Sequence, residues 1–304
     1  MKKFRRAAAF LLTLALAAGM TFLTGCGADS TQGSTIDGGL DFTAGVNKDG
    51  TVSYVGTITS IGDEVEGWED IEAISCSSIG AVGLRKDGTV LTTTTNNEWQ
   101  SDVGKWKDIT MVCASDFFTL GLKNDGTVVS AGDNEYGECD VDKWKDITQI
   151  ACGSFFSAGL KKDGTVVWTG DDKLSNLGNV DDWEDITQIS ASSYSLAGLK
   201  KDGTVVLAGG LSDENQAAQS WKKIKKVVAG DYAIYGIKSD GTVEAAGYKA
   251  PEKKVEKWED IVDITTSMYM VYGLRKDGTV SAAAVPSVYD VSVPDLSKWE
   301  LKVL

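Results

Sequence analysis

The sequence predicts an all-β fold, a seven-bladed β-propeller with mostly three-stranded blades, from three observations. The tripeptide Asp-Gly-Thr occurs seven times, with its glycines 37 to 39 residues apart. A tryptophan recurs in step with these glycines, and the first and last copies are incomplete in complementary ways. A period of this length is typical of folds built from one supersecondary unit, whose neighbouring copies bury a shared core.

The fourth copy shows how one unit is built. Residues 147–152, 155–160 and 166–169 are three short apolar runs, bounded by polar residues and glycines. The Asp163-Gly164 pair between the second and third runs predicts a hairpin with a type I′ turn, which needs positive φ at both central residues. Each copy therefore predicts three antiparallel strands and a loop that leads to the next tryptophan.

Two further columns recur in every copy, and both are best explained by packing. One large aromatic side chain per copy fills the gap between neighbouring sheets. These tryptophans are Trp68, Trp106, Trp144, Trp183, Trp221, Trp258 and Trp299. Glycine weakens a strand, so its recurrence in the second strand predicts close backbone approach at the crowded centre of the propeller. These glycines are Gly45, Gly83, Gly121, Gly159, Gly198, Gly236 and Gly273.

The two ends of the repeat array favour a closed ring over an open solenoid. The first copy begins at Ile36 without a tryptophan-led strand, whereas residues 299–304 form such a strand with nothing after it. The two fragments together make one complete unit. Propellers use complementary ends to close the last blade and to leave no long strand edge exposed.

The N-terminal segment predicts export and a lipid anchor. Residues 1–25 have the layout of a signal peptide, with a basic start before an apolar run that is short for a transmembrane helix. Residues 23–26, Leu-Thr-Gly-Cys, resemble the lipobox of bacterial lipoproteins. The resemblance implies cleavage before Cys26, lipidation of its thiol and an extracytoplasmic protein anchored to the bacterial cell membrane. Residues 26–35 are then the lipidated cysteine and a flexible tether, and residues 36–304 are the propeller.

Charge and composition exclude several classes of function. The formal charge is −14, and it becomes about −18 when the four basic residues of the signal peptide are removed, so binding to nucleic acid is disfavoured. The chain has no histidine, which excludes Ser-His-Asp catalysis and His-ligated zinc. We therefore expect a monomeric, non-catalytic protein without a cofactor.

The four cysteines of the repeat region are explained by burial in strands. No Cys-x-x-Cys pair is present, which disfavours a zinc knuckle or a thioredoxin-like site. Cys76 and Cys152 occupy the same column of different copies, and Cys113 lies one position away. Small buried apolar residues are the favoured interpretation for them and for Cys139, although export permits disulfides.

The residues resemble the regulator of chromosome condensation repeat family. The resemblance rests on Gly-Leu-Lys-x-Asp-Gly-Thr-Val and the segment that follows it within 121–140, and on Trp-Lys-Asp-Ile at 144–147. It covers about residues 36–304, and the short period is similar to that of bacterial members, among them secreted β-lactamase inhibitors. The resemblance implies a seven-bladed propeller with three-stranded blades, and a face on which aromatic residues contact a target enzyme.

The chain departs from the family pattern in one column and in its charge. The family often has histidine early in the second strand, where this chain has Phe42, Gly80, Phe118, Phe156, Ser195, Ala233 and Met270. The chain also lacks the basic surface expected of a chromatin protein. Nucleotide exchange on a nuclear GTPase is therefore not expected of it.

A candidate binding site lies in the column just before the missing histidines, where the copies differ. Five of the seven residues in that column are aromatic, and they should form an arc around one mouth of the propeller, as anchors of an interface. The alternative is that these rings are wedged between blades. The candidate partner-binding residues are Phe117, Phe155, Tyr194, Tyr232, Tyr269, the preceding Asp116 and Asp231, and Trp99 in a loop. Asp41 and Ile79 complete the column.

The acidic loops suggest calcium only weakly. Paired acids occur at 171–172 and 181–182, and Asp133 begins a segment with a loose resemblance to a calcium-binding loop. None of these supplies a full set of ligands, and acidic turns are usually solvated. No metal site is therefore predicted.

The leading hypothesis is a surface-anchored, non-catalytic binding protein that presents one propeller face to a protein or envelope partner. The first alternative is a carbohydrate-binding or carbohydrate-processing propeller, in which aromatic rings stack on sugars and two acids act together. An enzyme of that kind needs two acids facing one pocket, and the repeat pattern is expected to place none there. The second alternative, inhibition of a β-lactamase or penicillin-binding protein, is implied only by the family resemblance.

Overall fold

A computed structural model describes residues 34–93, 103–178, 180–248, 250–286 and 292–304. These residues form 21 strands in seven antiparallel sheets of three. The strands are β1 Ile36–Gly38, β2 Phe42–Val46, β3 Val52–Gly56, β4 Ile71–Ser77, β5 Gly80–Arg85, β6 Val90–Thr92, β7 Ile109–Ala114, β8 Phe118–Lys123, β9 Val128–Gly132, β10 Ile147–Cys152, β11 Phe156–Lys161, β12 Val166–Gly170, β13 Ile186–Ala191, β14 Ser195–Lys200, β15 Val205–Gly209, β16 Ile224–Ala229, β17 Ile234–Lys238, β18 Val243–Ala246, β19 Ile261–Thr266, β20 Met270–Arg275 and β21 Val280–Ala284.

The sheets are the blades of a ring. Blade 1 is β1–β3, and each later blade takes the next three strands, up to β19–β21 in blade 7. The first strands of successive blades contact one another around the centre, and β19 contacts β1 to complete the circle. The predicted seven-bladed propeller with three-stranded blades is therefore confirmed.

Short helices lie in the connections between blades. The α-helical segments are Thr59–Val65, Asp172–Ser175 and Glu252–Val255, and the 3₁₀ segments are Val103–Lys105, Val180–Asp182 and Asn215–Ser220. Ile61 and Val65 of the first helix are fully buried beside Trp68, so this connection covers an apolar edge of its blade. Across the described ranges, every helix is too short to span a lipid bilayer.

Each Asp-Gly-Thr tripeptide forms the tip of a hairpin between the second and third strands. At the third tip, Lys123 N donates to Thr127 O at 2.9 Å and Gly126 N donates to Lys123 O at 3.0 Å. The glycine has φ +79°, whereas no aspartate of these tripeptides has positive φ. The hairpin prediction is confirmed but the type I′ turn is wrong, because the loop is a type I turn followed by a left-handed glycine, with a G1 bulge.

The aspartate and threonine of each tripeptide hold the turn together. At the same tip, Asp125 Oδ1 accepts hydrogen bonds from Thr127 N at 2.9 Å and from Thr127 Oγ1 at 2.6 Å. These bonds hold the pKa of Asp125 below its usual range. The threonine is therefore a partner of the aspartate, which explains why the tripeptide recurs as a unit.

The hairpin tips also join the blades to one another. The carbonyl oxygen of each tip glycine accepts a hydrogen bond of 2.9 to 3.2 Å from a backbone N–H of the next blade. The pairs are Ile71 N to Gly50 O, Ile109 N to Gly88 O, Ile147 N to Gly126 O, Ile186 N to Gly164 O, Ile224 N to Gly203 O, Ile261 N to Gly241 O and Leu301 N to Gly278 O. The last pair joins blade 7 to blade 1, so this series of seven hydrogen bonds, which we call the latch, runs around the entire ring.

Blade 1 takes its first strand from both ends of the chain. Leu301 pairs with Asn47, and Lys302 N donates to Val46 O at 2.8 Å. Thr35 Oγ1 then donates to Lys302 O at 2.7 Å, so the C-terminal piece leads directly into the N-terminal piece. Closure by complementary ends is confirmed.

The ring begins two residues earlier than the sequence indicated. Ser34 and Thr35, assigned above to the tether, are only 2% and 1% exposed. Ser34 Oγ lies 2.7 Å from Ile36 O and 3.0 Å from Asp263 Oδ2 of blade 7, so its one proton is within hydrogen-bond distance of both acceptors. These polar residues are buried because they occupy the seam where the two chain ends meet.

The tryptophan column explains the glycine column. A Cβ atom added to Gly159 would lie 2.9 Å from the ring of Trp144, and five other blades repeat this approach of tryptophan to glycine at 2.7 to 2.9 Å. In blade 1 the atoms nearest to Gly45 belong to Leu301, with Trp299 at 3.1 Å. The packing role of the tryptophans is confirmed. The reason given for the glycines is wrong, because a tryptophan ring of the same blade, and not the ring centre, occupies the space.

Side chains from neighbouring blades satisfy the inner edges of the first strands. Cys76 N donates to Asp37 Oδ2 at 2.7 Å, and Ala114 N donates to Ser75 Oγ at 3.0 Å. The same arrangement recurs as Ala229 N to Ser190 Oγ, Ile189 N to Gln149 Oε1 and Val227 N to Gln188 Oε1. Since an unpaired buried N–H is costly, these polar side chains stabilise the centre of the ring.

The cysteines follow the packing interpretation. Cys76, Cys113 and Cys152 are buried in first strands, and Cys139 is half-buried in a loop. None of these four forms a disulfide. Cys152 Sγ donates to Cys113 O of the preceding blade at 3.3 Å, so it lies in the same central contact zone.

Replacing Trp299 by alanine should open the closing blade. The change removes a side chain that is 93% buried from the seam, and losses of this kind cost about 3–5 kcal/mol. We expect a lower midpoint of thermal unfolding, measured by circular dichroism. Deleting only Leu304, which is 48% exposed, is the control and should change the midpoint little. Equal midpoints for Trp299→Ala and the unmodified chain would contradict the closure described here.

Alanine at the tip glycines should destabilise the ring in a fixed order. At Gly278 a new Cβ would lie 2.6 Å from Leu301 O, in addition to φ +92°, whereas at Gly126 its nearest neighbour is 3.3 Å away. Positive φ alone costs an alanine about 1–2 kcal/mol. Urea unfolding should rank Gly278→Ala below Gly126→Ala in stability. Gly104→Ala, whose Cβ meets nothing within 4 Å, should match the unmodified chain.

Candidate functional site

The predicted aromatic column lies on one face of the disc, which we call the aromatic face. Its residues end the loops between first and second strands, on the side opposite the Asp-Gly-Thr tips, which define the hairpin face. Their carbonyl groups also hold the starts of the long connections. Asp133 N donates to Phe117 O at 2.9 Å, and Asp171 N donates to Phe155 O at 3.0 Å. The column and the connections that vary between copies therefore share a face.

Rings from three successive blades are in contact on this face. The centroids of Phe117 and Phe155 are 6.4 Å apart at an interplanar angle of 26°, and those of Phe155 and Tyr194 are 6.0 Å apart at 36°. Tyr136 meets Phe155 edge-on at 5.2 Å and 82°. We call these four residues the aromatic cluster. Such pairs contribute about 0.5–1.5 kcal/mol each beyond the area that they bury.

The members of the cluster have different roles. Phe155 is only 4% exposed and is wedged between its neighbours, so the packing alternative holds for this ring. Phe117, Tyr136 and Tyr194 are half-buried and present part of their surface to solvent. A buried ring that supports three accessible ones forms a firm platform for contact.

Tyr136 was not among the predicted site residues, because it lies outside the repeated column. Its loop is stiffened from within: Asn134 Nδ2 donates to Asp140 Oδ1, and Cys139 N donates to Asn134 Oδ1. Tyr136 N donates to the carboxylate of Glu138, which is 2% exposed and whose pKa is raised by burial. The sequence drew attention to this loop in two other ways, because it lies inside the segment that carries the family resemblance and because Asp133 begins a segment with a loose resemblance to a calcium-binding loop.

The loop is also tied to the next blade. Ser157 Oγ donates to Glu138 O at 2.6 Å, and Thr169 Oγ1 donates to Gly137 O at 2.8 Å. Both donors belong to blade 4, whereas the loop follows blade 3. Tyr136 is therefore positioned by two blades at once.

Asp116 and Asp231 lie at the mouth and hold the loops of neighbouring blades. Ser78 donates from N and Oγ to the carboxylate of Asp116 at 2.8 and 3.1 Å. Ser193 N donates to Asp231 Oδ1 at 3.1 Å. Burial raises the pKa of each carboxyl to about 6, and the hydrogen bonds only partly offset this effect.

The charges of the two acids influence the same groups. The charge of Asp231 contributes to the raised pKa of Asp116, and both charges, after burial, raise the pKa of Tyr194. The expectation that no two acids face one pocket stays a prediction. The two residues are three blades apart in the chain, and only closure of the ring brings their charges within mutual influence.

The remaining candidates are more scattered. Tyr232 and Tyr269 are half-buried on the aromatic face, and Ile79 is 49% exposed. Tyr269 lines a cleft of about 450 Å³ between blades 7 and 1, together with Asp41. Trp99 and Cys26 lie outside the described residues.

The acidic loops have structural partners. Asp171 accepts hydrogen bonds from Lys173 N and Leu174 N and so caps the helix at 172–175. Asp133 Oδ1 accepts a hydrogen bond from Asn134 N. Within the described part of the chain, no three Cys, Asp or Glu residues are grouped so that they could hold a metal ion.

Comparison with known proteins identifies the repeat. Residues 109–138 and 147–173 match the family model described as the Regulator of chromosome condensation (RCC1) repeat. These segments include most of blades 3 and 4, and also Tyr136 and the phenylalanines of the aromatic cluster. No curated protein sequence matches the chain.

Solved structures share the fold at low sequence identity. The CRINKLY WD40 ectodomain of the Arabidopsis thaliana receptor kinase ACR4 is 18% identical, with a TM-score of 0.61 over 83% of this chain and 97% of that one. The entire ectodomain of the Physcomitrella patens receptor kinase CR4 is 18% identical, with a TM-score of 0.64 over 86% and 75%. Prp20p from Saccharomyces cerevisiae is 13% identical, with a TM-score of 0.48 over 82% and 71%.

The raised pKa values of Asp116 and Asp231 predict a pH-dependent stability. Because the folded protein holds these protons more tightly than the unfolded chain, stability should fall as pH rises from about 4 to about 6. The double variant Asp116→Asn and Asp231→Asn keeps acceptors for the serine N–H groups and should flatten this fall by about 1–3 kcal/mol. Denaturant titrations at pH 4.5 and pH 7.5 measure the difference. Asp125→Asn, at an exposed tip, is the control and should leave the fall unchanged; an equally steep fall in the double variant would refute the assignment.

Proposed function

We propose that this chain, a propeller with chromosome condensation-type repeats, is a lipid-anchored, non-catalytic binding protein whose aromatic face contacts a protein partner outside the cell membrane. The observation that carries the proposal is the aromatic cluster, which joins three successive blades on the face where the copies differ. Residues that recur in every copy form the turns, the hydrogen bonds between blades and the packing of the ring. Binding residues are therefore expected among the positions that differ between copies.

The aromatic cluster has the properties of an interface centre. Partly exposed tyrosines offer apolar area and a hydroxyl group at little cost in side-chain entropy, and such residues are enriched at the centres of protein interfaces. Phe155 beneath them is buried, and the Tyr136 loop is held by blades 3 and 4, so little ordering is needed on binding. A preformed surface of this kind favours affinity.

The charges around the cluster indicate the character of the partner. After burial, the acids Glu135, Asp171, Glu138 and Asp133 raise the pKa of Tyr136, and Asp231 and Asp116 do the same for Tyr194. The accessible rings thus stand in a negative field. A partner with lysine or arginine at the rim of an apolar patch would complement this field and associate faster at low salt.

Export and anchoring are proposed from residues 1–26. The basic start, the apolar run and the Leu-Thr-Gly-Cys segment support a lipid on Cys26. Two or more acyl chains would give stable attachment. In this arrangement the propeller is held outside the membrane, where a protein or another envelope component meets its aromatic face.

A carbohydrate ligand is the second candidate, and the acid pair favours it. Two carboxyl groups with raised pKa values beside aromatic rings are also found where sugars are bound and cleaved. Against catalysis, Asp116 and Asp231 already accept hydrogen bonds from Ser78 and Ser193, which hold the loops of the mouth. We therefore propose a structural role for the pair and a binding role for the rings.

The test is capture from cell-envelope extract with the soluble fragment 27–304. The double variant Tyr136→Ala and Tyr194→Ala should reduce capture of a protein partner at least tenfold, because it removes both tyrosines of the platform. Trp168→Ala is the control, since it removes an aromatic ring of blade 4 that packs against the core cluster of Leu177 and Val180 and makes none of the ring contacts of the aromatic cluster, and it should leave capture unchanged. Circular dichroism verifies the fold of each variant.

The alternatives give different results in the same system. Capture of glycan and no protein, lost in the double variant Asp116→Asn and Asp231→Asn, would replace the proposal by the carbohydrate function. Release of reducing sugar would show catalysis. Slower hydrolysis of a chromogenic cephalosporin by added β-lactamase, dependent on Tyr136 and Tyr194, would identify the inhibitor function implied by the family resemblance.

A further inference from the structure

A cleft opens on the aromatic face where blade 7 meets blade 1. Its volume is about 450 Å³, within the range of about 300–1,000 Å³ that is typical of small-molecule sites. Its lining comes from the loops between the first and second strands of both blades, from the end of β3 and from the connection that follows β21. The described lining residues are Leu40, Asp41, Phe42, Val55, Gly56, Thr57, Ser267, Tyr269, Met270, Tyr272, Ser292 and Pro294.

The repeat is broken at this junction in two ways. In blades 3, 4 and 5 the aromatic column places rings in contact, and these contacts bridge neighbouring blades. In blade 1 the same column holds Asp41, which has no ring. The connection into blade 1 is also long, since Trp258 and Trp299 are 41 residues apart, whereas the other neighbours in the tryptophan column are 37 to 39 apart. These departures from the repeat explain why a cleft forms here.

The apolar wall of the cleft is already ordered. The side chains of Phe42, Met270 and Tyr272 are almost completely buried. The ring of Phe42 stacks on that of Tyr54, with centroids 5.5 Å apart and an interplanar angle of 24°. A Cβ atom on Gly39 would lie 2.1 Å from the ring of Phe42, so the backbone of the loop also packs against this ring. An apolar body can therefore enter without a cost of ordering the wall, which favours affinity.

The two loops at the opening of the cleft are fixed by backbone hydrogen bonds. Tyr269 O accepts one from Val285 N at 2.8 Å in blade 7, and Asp41 O accepts one from Thr57 N at 3.2 Å in blade 1. The side chain of Tyr269 is half-buried, and that of Asp41 is exposed. The opening therefore presents an aromatic surface and a carboxylate to solvent.

Asp41 gives the cleft its charge. The described lining residues include no lysine or arginine, and their other polar side chains are hydroxyl groups. The hydroxyl group of Tyr272 has neighbours within the protein, because those of Thr43 and Ser267 partly offset the effect of burial, which raises its pKa. A carboxylate and the faces of aromatic rings both attract a cation. The lining thus complements an apolar molecule that carries a positive charge.

We propose that this cleft binds a small organic cation, with an amine or guanidinium group on an aromatic or aliphatic body. The body packs against Phe42, Met270 and Tyr272, and the positive group lies at the opening with Tyr269 and Asp41. The junction of blades 7 and 1 is across the ring from blade 4, whereas the aromatic cluster lies on blades 3 to 5. The inference therefore does not depend on the proposed protein contact.

Three probes of similar shape test the charge of the ligand. Phenethylammonium, phenethyl alcohol and phenylacetate each carry one phenyl ring and are positive, neutral and negative. In the fragment 27–304, which contains every strand of the ring, isotope-labelled methionine methyl groups are followed by NMR. Met270 reports on the cleft, and Met111, fully buried in blade 3, is the internal control. Phenethylammonium should shift the Met270 signal and bind about threefold to tenfold more tightly than phenethyl alcohol, and phenylacetate should bind most weakly.

The variant Asp41→Asn tests the source of this preference. It should bring the affinity for phenethylammonium to that for phenethyl alcohol and leave binding of the alcohol unchanged. The matched control is Asp63→Asn, which removes an exposed acid of the helix at 59–65 after the same blade and should retain the preference.

The opposite results are equally clear. Equal affinity of the three probes, or a preference that survives in Asp41→Asn, would refute the assigned cation. The absence of a shift at Met270, or an equal shift at Met111, would refute the site. Tighter binding of methyl glucoside than of phenethylammonium would replace the cation by a sugar.

Discussion

The ring depends on one hydrogen bond that is repeated in every blade, from the first strand of each blade to the tip glycine of the blade before it. The bond requires a tip glycine with left-handed backbone conformation. It also requires the absence of a side chain there, because a Cβ atom on the glycine would lie only about 3 Å from the backbone of the next blade. Aspartate and threonine on either side hold that turn. Every blade donates one of these hydrogen bonds and accepts one. The bond from the C-terminal Leu301 N to Gly278 O is the one that joins blade 1 to blade 7 and closes the series. The tripeptide Asp-Gly-Thr is thus the contact between blades as well as a turn.

The same need to satisfy strand edges explains the polar centre of the molecule. First strands have no partner strand on their inner side, so their N–H groups are met by side chains of adjacent blades. Asp37, which lies where Ala151 stands in blade 4, is used in this way, and burial raises its pKa to about 7. Lys226 and Asp263 form a buried ion pair at 2.6 Å in the same zone. Buried acids of this kind would suggest catalysis in another fold, but here they hold the first strands of neighbouring blades together.

Apart from these contacts within the ring, the two faces of the disc differ in the residues that they carry. The hairpin face carries the Asp-Gly-Thr tips, which form the same turn and the same hydrogen bond to the next blade in every copy. The aromatic face carries the connections that vary, the aromatic cluster and the acids of the mouth. This division of the disc is the reason why we propose binding on the aromatic face.

The sequence by itself determined the number of blades, the three strands in each, the hairpin positions and the closure by both chain ends, because each of these repeats with a fixed period or completes it. It also located the aromatic column, since position in a repeat implies position in the ring. Only the tertiary structure decided which rings touch, that Phe155 is buried, and that Tyr136 joins them from a loop outside the column. It also placed Asp116 and Asp231 under each other's influence across three blades, and showed that tryptophan rings, rather than a crowded centre, require the strand glycines. These features depend on contacts between residues far apart in the chain, and a period describes only what neighbouring copies have in common.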